Sequence, residues 1–200
     1  MDDRASHRAA ALSGLVALLW PAAALAHAGA QGAGFAAGAL HPLTGIDHVL
    51  AMLAVGMWGA QLGAPAIWAL PVAFPLVMSL GGVAGILGLP LPAVEPAIAL
   101  SVVVLGAAIA ANLRPPLPVA CALVSVFAIF HGYAHGLELP RHESAVAYSA
   151  GFVLATGAIH LCGIGIGTVT HLRNGLGALR LGGSAISLAG LFIGWRLLGG

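Results

Sequence analysis

The sequence predicts an all-α protein, a polytopic membrane bundle of six transmembrane helices behind a cleavable signal peptide. Three observations predict it. First, 60% of the 200 residues are hydrophobic and 6% are charged, where a soluble domain has about a quarter of its residues charged. Second, mean hydropathy is +1.02, so polar surface cannot cover a globule and lipid must be the outer solvent. Third, the apolar runs are about 20 residues long without polar alternation, which selects helices over a barrel. Seven Arg, no Lys and six acids leave almost no net charge. That excludes a basic nucleic-acid surface.

Residues 1–26 read as the signal peptide. Met1–Arg8 is polar and carries Arg4 and Arg8, Ala9–Trp20 is a short apolar core, Pro21 breaks it, and Ala24-Leu25-Ala26 is an A-x-A cleavage site. An uncleaved anchor helix is the alternative. Cleavage would make His27 the new N-terminus, whose amine and imidazole together can chelate a metal.

Residues 27–200 read as one membrane domain. The first span is Gly45–Leu62, with a short apolar approach at Gly34–Leu40. The others are Ala66–Leu87, Val94–Leu113, Leu117–His135, Ser144–Gly167 and Leu179–Leu198. Gly63-Ala64-Pro65, Leu89-Pro90-Leu91-Pro92, Arg114-Pro115-Pro116 and Asn174-Gly175 break the runs as turn signals. Pro71 and Pro75 should kink the second span. The pairs Gly59/Gly63, Gly81/Gly85 and Gly163/Gly167 suit close helix packing. Cys121 and Cys162 fall in apolar segments and read as small buried hydrophobes.

A removed signal peptide places both mature termini outside. Arg114, Arg173 and Arg180 then border cytoplasmic loops, against Arg141 and Arg196 outside, in the sense of the positive-inside rule.

Ionisable groups within a bilayer are costly and face a cavity, a partner or an ion path. One cluster is His41, Asp47 and His48 around the start of the first span. Asp47 can be a helix cap, since a carboxylate there gains from the macrodipole, but a cap leaves the two histidines unexplained. A second is His131 and His135, one turn apart, with Glu138 on the same face if the helix continues. Imidazole suits nickel, cobalt, zinc and copper. The predicted topology brings both clusters to the outer ends of their spans, and Glu95 with them. His160 lies about 24 Å into the fifth helix. It reads equally as a second stop on an ion path or as a buried structural histidine. His142 and His171 fall in loops.

The run His41-Pro42-Leu43-Thr44-Gly45-Ile46-Asp47-His48 with Leu50–Gly56, followed by Phe130-His131-Gly132-Tyr133-Ala134-His135-Gly136-Leu137-Glu138, resembles the two signatures of the HupE/UreJ family. The resemblance covers essentially the whole chain. It implies a nickel, sometimes cobalt, uptake permease of the bacterial inner membrane, serving hydrogenase, urease or cobalamin pathways. It implies ligand roles for His41, Asp47, His48, His131, His135 and Glu138, extends to Glu95, and gives Phe74 a place along the path, with lipid-facing or core packing as the alternative for that ring. Some relatives are histidine-rich after the signal peptide, whereas this chain has only His27 there.

The expected partners are lipid and a divalent cation, with self-association left open. No nucleotide-binding motif occurs, and no resident cofactor or catalytic group is expected. Two rival readings are a membrane zinc hydrolase, which lacks any H-E-x-x-H or G-x-S-x-G here, and a metal-binding accessory or sensor protein that does not transport.

Overall fold

A computed structural model describes residues 30–139 and 144–199. The expected signal peptide, His27, Arg141 and His142 lie outside the described residues. Among those described, every regular element is helical: α1 (Ala30–Leu40), α2 (Ile46–Leu62), α3 (Ala66–Ile86), α4 (Val94–Ala110), α5 (Leu117–Leu137), α6 (Ala145–Gly167) and α7 (Gly175–Leu197), with 3₁₀ turns at His41–Leu43 and Thr168–His171. Four helices, α3, α5, α6 and α7, are long and apolar enough to cross a membrane. The stretch from Gly34 to Leu62 makes a fifth if its two parts, bent by 79°, form one broken span. α4 is also apolar but has 17 residues, flanked by Ala93 and Asn112 in the left-handed conformation.

The bundle turns its apolar side chains outward as well as inward. Leu76, Leu80, Leu154, Leu181 and Leu188 are exposed large hydrophobics, as lipid solvation requires. The most extensive pairings are α3 with α5, α4 with α7, and α2 with α6. Glycine sets these approaches. A methyl on Gly132 would overlap the Met78 carbonyl, and one on Gly81 the Ile129 carbonyl, so the backbones of α3 and α5 touch. Gly163 approaches the Leu53 carbonyl in the same way across α2 and α6. Without a hydrophobic effect between helices in lipid, such van der Waals contact is a main source of cohesion.

Gly63 departs from the packing role expected of it. A Cβ there would meet nothing within 4 Å, and its φ is +84°. It is the turn residue that closes α2, a conformation that L side chains rarely adopt. α7 starts at Gly175, four residues before the sequence suggests, because Asn174 takes the left-handed conformation (φ 66°) just ahead of it. α3 runs as one helix through Pro71 and Pro75. Cys121 and Cys162 are unbonded, and Cys162 is exposed rather than buried.

The C-terminal end of α4 shows how the helices are tied together. Its last carbonyls have no partner within the helix. Trp58 Nε1 donates to Leu113 O (3.1 Å), Gln61 Nε2 to Ile109 O (3.1 Å) and Arg180 Nε to Ala110 O (2.7 Å). Side chains from α2 and α7 thus cap α4, and the cation at the negative end of the helix dipole adds to the effect.

Candidate metal site

The break between α1 and α2 creates the first half of the site. Pro42 starts a 3₁₀ turn, and Thr44 returns its amide and hydroxyl to the His41 carbonyl at 3.0 and 2.7 Å. The chain then bends sharply into α2, so His41 stands beside the helix that Asp47 and His48 begin. The N-cap of α2 is Gly45, with no side-chain cap. Asp47 instead turns to its neighbour. Its Oδ1 accepts from the His48 amide and from His48 Nδ1, both at 2.8 Å. With the proton held on Nδ1, the lone pair of His48 is on Nε2, which is buried and has no hydrogen-bond partner. A carboxylate behind a histidine is the usual way to orient a metal-binding imidazole.

α5 supplies the second half. The helix continues to Leu137 with Glu138 as its C-cap, so His131, His135 and Glu138 lie on successive turns. Glu138 Oε2 contacts His41 Nε2 at 2.8 Å and His135 Nδ1 at 3.7 Å. One ligand atom from each of His41, His135 and Glu138 fits within a 4.8 Å group. The facing imidazoles of His135 and His41 hold the Glu138 carboxyl down to about 2. It is therefore ionised at any physiological pH and ready to meet a cation.

Below this group the imidazoles continue inward. The His48 ring is 4.3 Å from that of His135 and 4.7 Å from that of His131, centroid to centroid. Exposure falls along the series. The Glu138 and His41 side chains are 56% and 24% exposed, that of His135 8%, and His131 is fully buried. His131 has a partner that no local signal in the sequence pointed to. Ser101 on α4 gives its single hydroxyl proton to Ile98 O at 2.6 Å, so at 2.9 Å it accepts from His131 Nε2–H. That leaves the lone pair of His131 on Nδ1, which is also buried and unpartnered. His48 and His131 thus each present one nitrogen whose role is fixed by a neighbour.

Aromatic residues wall the site. Phe152 packs on His135 at 4.3 Å, Tyr148 lies 5.7 Å from His41, and Phe74 lies 5.5 Å from His131. His135 also borders a cavity of about 180 Å³ between α3, α5 and α6, lined in part by Gly82, Gly132 and Gly136. Phe152 and Tyr148 were missed from the sequence, since aromatics in an apolar helix carry no signal of their neighbours.

The remaining expected ligands stand apart. Glu95 is exposed and faces a second, open pocket with Tyr133 and Glu138, but it is outside the three-residue group. Asp47 lies behind His48 rather than beside Glu138. His160 is buried on α6, away from the cluster but in contact with Phe74 at 5.4 Å.

A model of the family described as HupE / UreJ protein matches residues 15–193. The chain is also 47% identical over 176 residues to Protein HupE of Rhizobium leguminosarum bv. viciae, covering 88% of this chain and 92% of that protein. No solved structure matches the chain.

Proposed function

The chain belongs to the HupE/UreJ family, and from that premise we propose that it is an uptake permease for a divalent transition metal, nickel or cobalt, in the bacterial inner membrane. The observation that carries this reading is the convergence of His41, His135 and Glu138 within 4.8 Å, at the half-exposed mouth of a file of buried imidazoles. A static structural metal site would be closed around its ion. Here the ligands are graded from exposed to buried, which suits capture followed by inward movement.

In this reading both termini are outside and α4 completes six spans despite its length. The ion arrives at Glu138 and His41, whose negative charge and lone pairs replace part of its hydration shell. It passes to His135, His48 and His131, each an imidazole of the kind that suits nickel. Asp47 and Ser101 act by orienting rings. Glu95 supplies negative charge at the rim through the pocket it shares with Glu138. His27 joins the capture step if the leader is cleaved behind it.

The test is accumulation of radiolabelled nickel and cobalt by metal-limited cells expressing wild type, His48→Ala or His135→Ala. The expected result is accumulation above empty cells by wild type and its loss in both variants. Wild-type accumulation no greater than empty cells would sink the permease reading. Metal binding without accumulation would point to an accessory role instead. Labelling of the loop between Arg173 and Arg180 from inside only is the expected topology result.

A further inference from the structure

The outer cluster leaves two buried polar groups deeper in the bundle unexplained. Thr156 and His160 are 0% and 1% exposed, and neither Thr156 Oγ1 nor either ring nitrogen of His160 has a hydrogen-bond partner. Such groups in an apolar interior carry the full desolvation cost. The threonine is the more telling. A hydroxyl within a helix can return its proton to the carbonyl one turn back, as Ser79 and Ser184 do here at 2.8 and 3.0 Å. Thr156 does not, although that bond is the nearest available to it.

Both residues lie on one face of α6. Phe152, Thr156 and His160 follow at intervals of four, so they stack one above another. Phe152 at the top of this row is the residue packed on His135 of the outer cluster. At the bottom, the His160 ring meets Phe74 at 5.4 Å, and Phe74 also meets His131 at 5.5 Å. One fully buried aromatic ring thus touches both the innermost histidine of the outer cluster and His160.

We propose that Thr156 and His160 form a second, inner station for the divalent cation, reached from His131 past the ring of Phe74. The proposal rests on the permease reading and deepens it. An imidazole nitrogen and a hydroxyl oxygen are both acceptable ligands for a nickel-class ion, with water completing the shell. Two protein ligands hold an ion more loosely than the outer group does. A transit station requires that weakness, because conduction needs binding favourable enough to enter and weak enough to leave. Phe74, in contact with a histidine of each station, is the ring the ion would pass.

The test uses full-length detergent-purified protein titrated with Ni²⁺ under equilibrium dialysis. Wild type, Thr156→Val and His160→Leu are compared, both substitutions being near in volume and without a ligand atom. The expected result is two ions per wild-type chain, the second weaker. His160→Leu should retain only the first, and Thr156→Val should weaken the second at least tenfold while leaving the first unchanged. Saturation of wild type at one ion would overturn the proposal, as would full retention of the second ion in a folded variant of either residue. Loss of the first ion in both variants would also overturn it, since they would then act through the outer cluster. Accumulation in cells is read separately. Two bound ions without accumulation strike the permease reading and leave the inner station standing, whereas normal accumulation with one bound ion does the reverse.

Discussion

Ser101 Oγ on α4 stands 2.9 Å from Nε2 of His131 on α5, and through that contact one serine decides which nitrogen of a fully buried histidine is free. Ser101→Ala removes the acceptor and leaves a buried N–H unpaired. The expected cost is about 1–3 kcal/mol of stability. Nickel affinity should fall about 10- to 100-fold, as when other groups that orient a metal ligand are lost. Thermal melts with and without Ni²⁺ check both parts. An unchanged metal-induced shift in melting temperature would show that His131 does not need its serine.

Asp47 plays the same part for His48, through Nδ1. Asp47→Asn keeps the shape and an acceptor but removes the charge. It should weaken nickel binding about tenfold, with Asp47→Ala weakening it further. If Asp47 were a direct ligand to the ion at the Glu138 group, Asp47→Asn would instead lower the number of ions bound at saturation. Isothermal titration separates the two outcomes.

Nickel binding should weaken as pH falls through the range in which the site imidazoles take up protons, because only neutral imidazole binds metal and protons compete for the same lone pairs. Glu138 does not set this limit. Its carboxyl, held at about 2 against an ordinary 4.5, stays ionised across the whole range. The depressed value has a separate consequence for stability. A carboxylate lowered in the folded state contributes stability above its unfolded value and loses it as pH falls through the folded one. Melting temperatures of wild type and Glu138→Gln should therefore differ steadily above 4.5 and converge between 4.5 and about 2.

The α3–α5 seam can be tested by adding one carbon. Gly132→Ala places a methyl against the Met78 carbonyl, where backbone cannot yield as a flexible side chain would. The expected loss is about 3 kcal/mol, the upper end for overpacking, and nickel uptake should disappear because His131 is the adjacent residue. Gly157→Ala is the control, since nothing lies within 4 Å of its added carbon. It should be neutral or mildly stabilising by helix propensity, by up to about 1 kcal/mol. Fluorescence-detected thermal aggregation in detergent distinguishes the pair.

Much of the architecture was legible before any coordinates. The Pro and Gly breaks located most helix boundaries to within a residue or two, since a turn is a local event written in local residues. The spacing of His131, His135 and Glu138 placed them on one face because helical periodicity is equally local. Gly63 reads in the sequence both as part of a turn signal and as half of a packing pair, and only the turn role holds, because sequence alone does not distinguish a glycine needed for space from one needed for a left-handed turn.

What the sequence determined by itself is the solvent and the cast: a chain with 6% charged residues must form helices in lipid, and its few imidazoles and carboxylates must be kept for a purpose. What only the tertiary structure decided is their arrangement. The 79° bend before α2 brings His41 to Glu138, 97 residues away. Ser101 meets His131 across 30 residues, and Phe74 comes into contact with both His131 and His160. These pairings depend on how close two helix backbones can approach and on the direction in which each then points its side chains. Those are properties of glycine seams between distant segments, and neither segment encodes them alone.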